Sequence, residues 1–225
     1  MRTIAVIGLK GGSGKTTLAT HVALAAHLRG MKTLVADVDP QRSSSEVLKA
    51  RSGEGPRCVD ATGSNLFAAQ IAAVGSGMDA MIIDTAAGAV EEVGQAIVLA
   101  DLSLLVVRPT LLDIAAMVRT VEIIRRLKKP GLVVINQAPP ARDGVESPVV
   151  KRALRALEFM RLPVAPTILR SRAIYQTALE TGRSAEEGWD DIAAKEVADL
   201  WAFIERFAFG QRTENGATAA KSARD

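Results

Sequence analysis

The stretch Lys10-Gly11-Gly12-Ser13-Gly14-Lys15-Thr16-Thr17 is the part of this chain best equipped for chemistry. Its glycines let consecutive backbone N–H groups turn inward on one anion, and a helix starting at the second lysine adds the positive end of its dipole. Lys15 is spaced to reach the β/γ-phosphates of a nucleotide, and the Thr16 hydroxyl to ligate Mg2+. Gly11, Gly12, Ser13, Gly14 and Thr17 complete the cradle. The common form of such a loop has glycine five positions before the Gly-Lys pair, where this chain has Leu9 followed by Lys10. A lysine at the loop entrance cannot easily fold back onto phosphates that its own loop wraps from the other side. Its physical use is on a nucleotide held by a second copy of the chain. The expectation is therefore a homodimer that sandwiches ATP, with Lys10 and Lys15 both working on phosphate.

Hydrolysis of Mg·ATP needs little covalent chemistry beyond placed phosphates, a metal and a group that orients water. Three acids are candidates for the last two tasks. Asp84 closes the apolar run Met81-Ile82-Ile83 and is expected to hold a metal-bound water. Asp37 and Asp39 lie two apart on an extended segment, so both are expected on one face. Asp37 is assigned to the metal's outer partners. Asp39, one step further out before the rigid Pro40, is assigned to water activation.

These residues need a scaffold that brings them together. Strand-like apolar runs alternate with amphipathic helical stretches: Thr3–Ile7 then Leu18–Arg29, Lys32–Ala36 then Glu46–Arg51, and Arg57–Asp60 then Asn65–Val74. The alternation continues with Met81–Asp84 then Val90–Leu99, Ser103–Val107 then Ile114–Leu127, and Leu132–Ile135 then Val149–Met160. A short strand over Pro163–Ile168, a helix over Arg172–Glu180 and a final helix over Asp190–Phe209 complete the reading. Continuous apolar strands joined by helices predict a doubly wound α/β fold, a mainly parallel sheet flanked by helices. Ligands of such sheets sit beyond the carboxyl ends of the strands. The loop, Asp37, Asp39, Asp84 and Asn136 all fall there. One ATPase domain is expected over residues 1–209, with a polar, disordered tail over 210–225.

Composition narrows the function. The 225 residues carry a net charge of +3, which permits a polyanionic partner without requiring one. Aromatics make up 4%, too few to expect single-strand binding by base stacking. The single cysteine, Cys58, rules out a disulfide within the chain and any site built on several thiolates. The first apolar run is broken by Gly8 and Lys10, so it is not a signal peptide, and a cytoplasmic protein is expected. His21, His27, Tyr175 and Trp189 are read as structural or packing residues.

Lys10 to Thr17, Asp37-Val38-Asp39-Pro40-Gln41 and Ile82-Ile83-Asp84 together resemble the ParA-type partition ATPases. That is the deviant phosphate-loop group that also holds the Min-system ATPases. Pro163 to Arg170, with Arg172, Tyr175 and Gly182, extends the resemblance over most of the chain. The resemblance implies an ATP-driven dimer that binds nonspecific DNA on the nucleoid. A cargo-bound, ParB-like adaptor would stimulate its hydrolysis. It implies the short form without an N-terminal helix-turn-helix, because the phosphate loop comes almost first. It further implies adenine-side contacts from Asn136 and Pro166, and DNA contacts from Arg170 and Arg172. Two departures stand out: Thr85-Ala86-Ala87-Gly88 follows Asp84 where prolines are frequent, and Gln137 follows Asn136 where arginine is common.

The function expected is ATP-driven segregation of plasmid or chromosomal DNA. The same engine moving a protein cargo is an alternative. Others are a membrane-associated Min-like ATPase and, last, an ATP-dependent small-molecule ligase. A membrane role needs an exposed amphipathic helix. The apolar stripe Val197, Leu200, Trp201, Ile204, Phe207 and Ala208 is read instead as core, so no stable membrane association is expected. Further basic clusters lie at Arg125, Arg126, Lys128 and Lys129, and at Lys151, Arg152 and Arg155.

Overall fold

Six parallel strands run in the order β3-β2-β4-β1-β5-β6 in the computed structural model, which describes residues 1–88 and 90–210. The strands are β1 (Arg2–Ile7), β2 (Thr33–Asp37), β3 (Arg57–Asp60), β4 (Ala80–Asp84), β5 (Leu102–Val107) and β6 (Gly131–Ile135). The helices are α1 (Lys15–Leu28), α2 (Ser43–Lys49), α3 (Leu66–Gly75), α4 (Val90–Leu99), α5 (Leu111–Arg126), α6 (Pro148–Glu158), α7 (Ile174–Thr177) and α8 (Asp191–Phe209). The proposed tail over 210–225 lies, beyond Gly210, outside the described residues.

The period-two alternation of the strands divides the core. Ile4 and Val6 of β1 join one buried cluster with α1 and α8. Ala5 and Ile7 join the other, under α3, α4, α5 and α6. Burial on both faces is why these strands read as continuous apolar runs. Trp201 is fully buried, and Val197, Leu200, Ile204 and Ala208 lie in the same cluster as α1. The α8 stripe is thus packed into the core rather than offered to solvent. Among the described residues no helix is long and apolar enough to cross a membrane.

Two expected elements differ. The strand expected over Pro163–Ile168 is an extended segment beside β6, joined through isolated bridges Val133↔Val164 and Ala138↔Arg170. Pro163 and Pro166 have no N–H to donate, so a regular ladder cannot continue through them. The helix expected over Arg172–Glu180 is only one turn, α7, followed by a 3-10 turn at Leu179–Thr181. Gly182 ends it at φ +66°, where an added Cβ would stand 2.5 Å from the Arg51 backbone nitrogen.

Among the residues read as packing, His21 is buried between the Ser184 hydroxyl at 3.3 Å and the Tyr175 carbonyl at 3.1 Å. Burial lowers its pKa to about 4, so it is neutral at physiological pH. Tyr175 is also buried and donates its hydroxyl to Glu196. Trp189 corrects the sequence reading: it is 82% exposed and packs into no core.

Candidate functional site

The link from β1 to α1 forms the cradle. Gly12 and Gly14 take φ of +74° and +88°, a left-handed backbone that glycine adopts without strain. An added Cβ at Gly14 would also come within 2.3 Å of Asn136 Nδ2. Gly14→Ala is therefore expected to destabilise the fold by about 1–3 kcal/mol and to abolish nucleotide binding. Thermal unfolding and a fluorescent-nucleotide titration check both parts.

Lys15 opens α1 from a buried position and donates to the Lys10 carbonyl at 3.5 Å. Burial lowers its pKa, partly opposed by the charges of Asp84 and Asp39. Asp39 is half-buried, and its Oδ1 accepts from the Gln41 N–H at 2.9 Å. It thus faces the field of Lys15 from a turn that fixes its carboxylate.

The register of the sheet sets the other two acids. Asp37 pairs with Asp84 across β2 and β4, and Asp84 with Val6 of β1, four residues before Lys10 at the loop entrance. Both acids are fully buried. Burial raises the pKa of Asp37, against hydrogen bonds from the Ser45 and Asp39 N–H groups. Burial likewise raises Asp84 to about 6, opposed by the Ser44 and Thr16 hydroxyls and by Lys15.

The first turn of α2 grips this pair. Ser44 donates its hydroxyl to Asp84 Oδ2 at 2.6 Å, and the Ser45 N–H donates to Asp37 Oδ2 at 3.0 Å. The sequence reading began this helix at Glu46 and so left both serines outside it, whereas α2 starts at Ser43. The available signal was their place just after Asp37-Val38-Asp39-Pro40-Gln41, at a helix N-terminus.

The donor set suits Mg2+. Asp84 Oδ1 and Ser13 Oγ are buried without a hydrogen-bond partner among the described residues. Thr16 lies near enough to Asp84 to lower its pKa. Mg2+ keeps several waters and takes substrate phosphates with only one or two protein ligands. No group of three or more His, Cys, Asp or Glu residues is arranged to hold a metal among the described residues. Thr16 with the unsatisfied Asp84 oxygen behind it matches a metal that comes with a nucleotide.

Asn136, expected on the adenine side, is buried and donates Nδ2 to the Ser13 carbonyl at 2.8 Å. Gln137 donates to the Gly12 carbonyl at 3.2 Å. Both side chains brace the phosphate loop from the residues just after β6. Pro166 is exposed on the segment beside that strand. Lys10 is turned to the first turn of α5, where its Nζ lies 3.2 Å from Asp113 Oδ1. Arg108 Nη2 meets the same oxygen at 3.1 Å. Neither Arg108 nor Asp113 stood out in the sequence.

Arg170 and Arg172 are already engaged. Arg170 forks onto both Glu146 oxygens, at 2.9 and 2.5 Å, and reaches the Pro139 carbonyl. Arg172 meets Glu196 at 3.1 Å and Asp190 at 3.7 Å.

The model of the CobQ/CobB/MinD/ParA nucleotide binding domain matches residues 4–183, which contain every element of the cradle. The chain belongs to this family. It is a nucleotide-binding ATPase of the MinD/ParA kind. One relative is the maintenance of carboxysome distribution protein A of Halothiobacillus neapolitanus. It is 31% identical over 195 residues, covering 81% of this chain and 85% of that protein. Among solved structures, the Pyrococcus furiosus cell division ATPase MinD superposes with a TM-score of 0.74 at 20% identity. The match covers 92% of this chain and 99% of that one. Apo McdA of Cyanothece gives 0.72 at 20% identity, over 89% of this MinD/ParA chain and 99% of its own. These two likenesses speak to the fold.

Proposed function

We propose that this protein is an ATP-driven positioning ATPase. Two copies close over a pair of ATP molecules, the closed dimer binds nonspecific DNA, and a cargo-bound adaptor stimulates hydrolysis and release. The observation that carries the reading is the second lysine. Lys10 turns away from its own cradle and engages α5, while Lys15 lies buried at the loop's end. A cation so placed is turned from its own cradle and, once it leaves Asp113, can reach a nucleotide held opposite.

In this reading Lys15 and the loop amides from Gly11 to Thr17 bind the phosphates. Thr16 would ligate Mg2+, Asp84 and Asp37 would support it from behind, and Asp39 would orient the attacking water. Mg2+ supplies charge neutralisation on the phosphate oxygens. Asn136 and Pro166 border the base.

For cargo, the relative matched along most of its length is a carboxysome distribution protein. That favours a protein assembly over the plasmid or chromosomal DNA to which the motifs first pointed. The DNA surface also moves from its first assignment. Phosphates at Arg170 and Arg172 would have to compete with Glu146, Glu196 and Asp190. Arg126 and Lys128 at the end of α5, and Lys151, Arg152 and Arg155 on α6, are exposed with no carboxylate partner within 4.0 Å among the described residues.

DNA retention should appear with ATP and vanish with ADP. With about four phosphates neutralised, affinity should fall roughly 100-fold between 50 and 200 mM salt. Arg126→Glu with Lys151→Glu should weaken binding across all sequences. Equal retention with and without ATP would contradict the DNA role.

A further inference from the structure

Asp113 is a buried carboxylate shared by two cations from different segments. It sits in the first turn of α5, where Thr110 caps the helix by accepting from the Asp113 N–H at 3.2 Å and donates its hydroxyl to Asp113 Oδ2. That leaves Oδ1 for Lys10 Nζ at 3.2 Å and for Arg108, whose Nη2 and Nε lie at 3.1 and 3.3 Å. The Asp113 side chain is 3% exposed, against 36% for Lys10 and 32% for Arg108. Both cations can swing outward, whereas the carboxylate cannot. Burial pushes the Asp113 pKa up, but hydrogen bonds from Thr110, Arg108 and Lys10 hold it below the usual carboxylate range.

A buried carboxylate stripped of its only cation is strongly unfavourable. If Lys10 were the sole partner, its departure to another subunit would carry that penalty in full. Arg108 removes it. Its planar fork has donors enough to hold Oδ1 alone, and the pair left behind is neutral. With Lys10 docked, the three groups sum to one positive charge at the mouth of the loop. Arg108 also lies against the cradle, its Nη1 3.9 Å from where a Cβ on Gly12 would stand.

We infer that Asp113 and Arg108 are positioning residues for Lys10. Asp113 clasps the entrance lysine inside its own subunit, and Arg108 takes over the carboxylate when Lys10 crosses to the partner's nucleotide. This inference rests on the sandwiched-dimer reading above. It adds a built-in hold that keeps the nucleotide-free protein from offering Lys10 to another copy. The two positions should therefore act in opposite directions. Loss of the Asp113 charge frees Lys10, and loss of Arg108 leaves Lys10 as the only counter-charge and tightens the clasp.

The test uses Asp39→Ala protein, in which ATP persists, with Asp113→Asn or Arg108→Gln added. Asn at 113 keeps an oxygen for the Thr110 hydroxyl and so preserves the cap. Sedimentation across an ATP titration with Mg2+ gives the midpoint of dimer formation. Asp113→Asn should lower that midpoint at least about threefold, and Arg108→Gln should raise it by a similar factor.

A second readout needs neither nucleotide nor dimer. An amine-acylating reagent, followed by peptide mass spectrometry, should modify Lys10 several-fold faster in Asp113→Asn and more slowly in Arg108→Gln, with exposed Lys128 as reference. A purely structural cap would move both midpoints the same way and leave Lys10 reactivity unchanged; either result overturns the clasp. If Asp113→Asn does not fold, unchanged Lys10 reactivity in Arg108→Gln overturns it alone. If the parent stays monomeric with ATP, the dimer reading fails, and the acylation arm still reports on the clasp.

Discussion

Replacing Asp39 with alanine should leave ATP bound and slow its hydrolysis by about 10²–10⁴-fold, the range of a positioned acid–base group. The substitution touches no backbone strain and removes no buried charge pair. Asp39 is half-buried, and its carboxylate accepts from the Gln41 N–H within the turn. In the proposed reading the phosphate grip belongs to Lys15 and the loop glycines, not to Asp39. Binding and turnover should therefore separate. A filter-binding titration with Mg·ATP should give a dissociation constant near that of the unsubstituted protein, while steady-state phosphate release nearly disappears. Turnover at the unsubstituted rate would remove Asp39 from the chemistry.

Asp84→Asn should pull stability and activity in opposite directions. Burial raises the Asp84 pKa from 3.8 to about 6. The folded chain thus binds this proton more tightly than the unfolded chain does. The contribution is at its most favourable below pH 4 and is lost as pH rises through 6. Above that, the ionised form costs about 2–3 kcal/mol. Asparagine can still accept from Ser44 and carries no charge. The nucleotide-free variant should be more stable than its parent by up to that amount at pH 7.5, with the gain vanishing below pH 4. Urea unfolding at several pH values reads this directly. The same change should lower Mg2+-dependent turnover by about 10–100-fold, the usual effect of a residue that acts on a metal through its waters. A variant less stable at pH 7.5 would show that the carboxylate is compensated by groups not identified above.

Much of this site could be read from the chain. The phosphate loop is local, and its glycines, lysines and threonine have few other uses at that spacing. Asp37 and Asp84 were legible because each ends an apolar run, and a parallel sheet gathers such ends. Their direct pairing was not, since it depends on β2 and β4 lying side by side. Ser44 and Ser45 went unread for the same reason: their partners come from strands that only the register brings near. Arg108 and Asp113 fell in the connection between the expected strand Ser103–Val107 and the expected helix Ile114–Leu127. Their importance arises from Lys10, which lies far away in sequence and close in space. Arg170 and Arg172 illustrate the converse. A basic pair looks free in a sequence until the fold supplies Glu146 and Glu196. Pro163 and Pro166 gave notice of a broken ladder, but the apolar residues between them suggested a strand.

The central claim is that Lys10 of one copy serves ATP held by another. Analytical ultracentrifugation of Asp39→Ala with Mg·ATP tests it most directly, alone and with Lys10→Ala added. The account predicts a dimer for the single variant, and a monomer that still binds ATP for the double. A single variant that sediments as a monomer at saturating ATP, or a double variant that dimerises equally well, would contradict it.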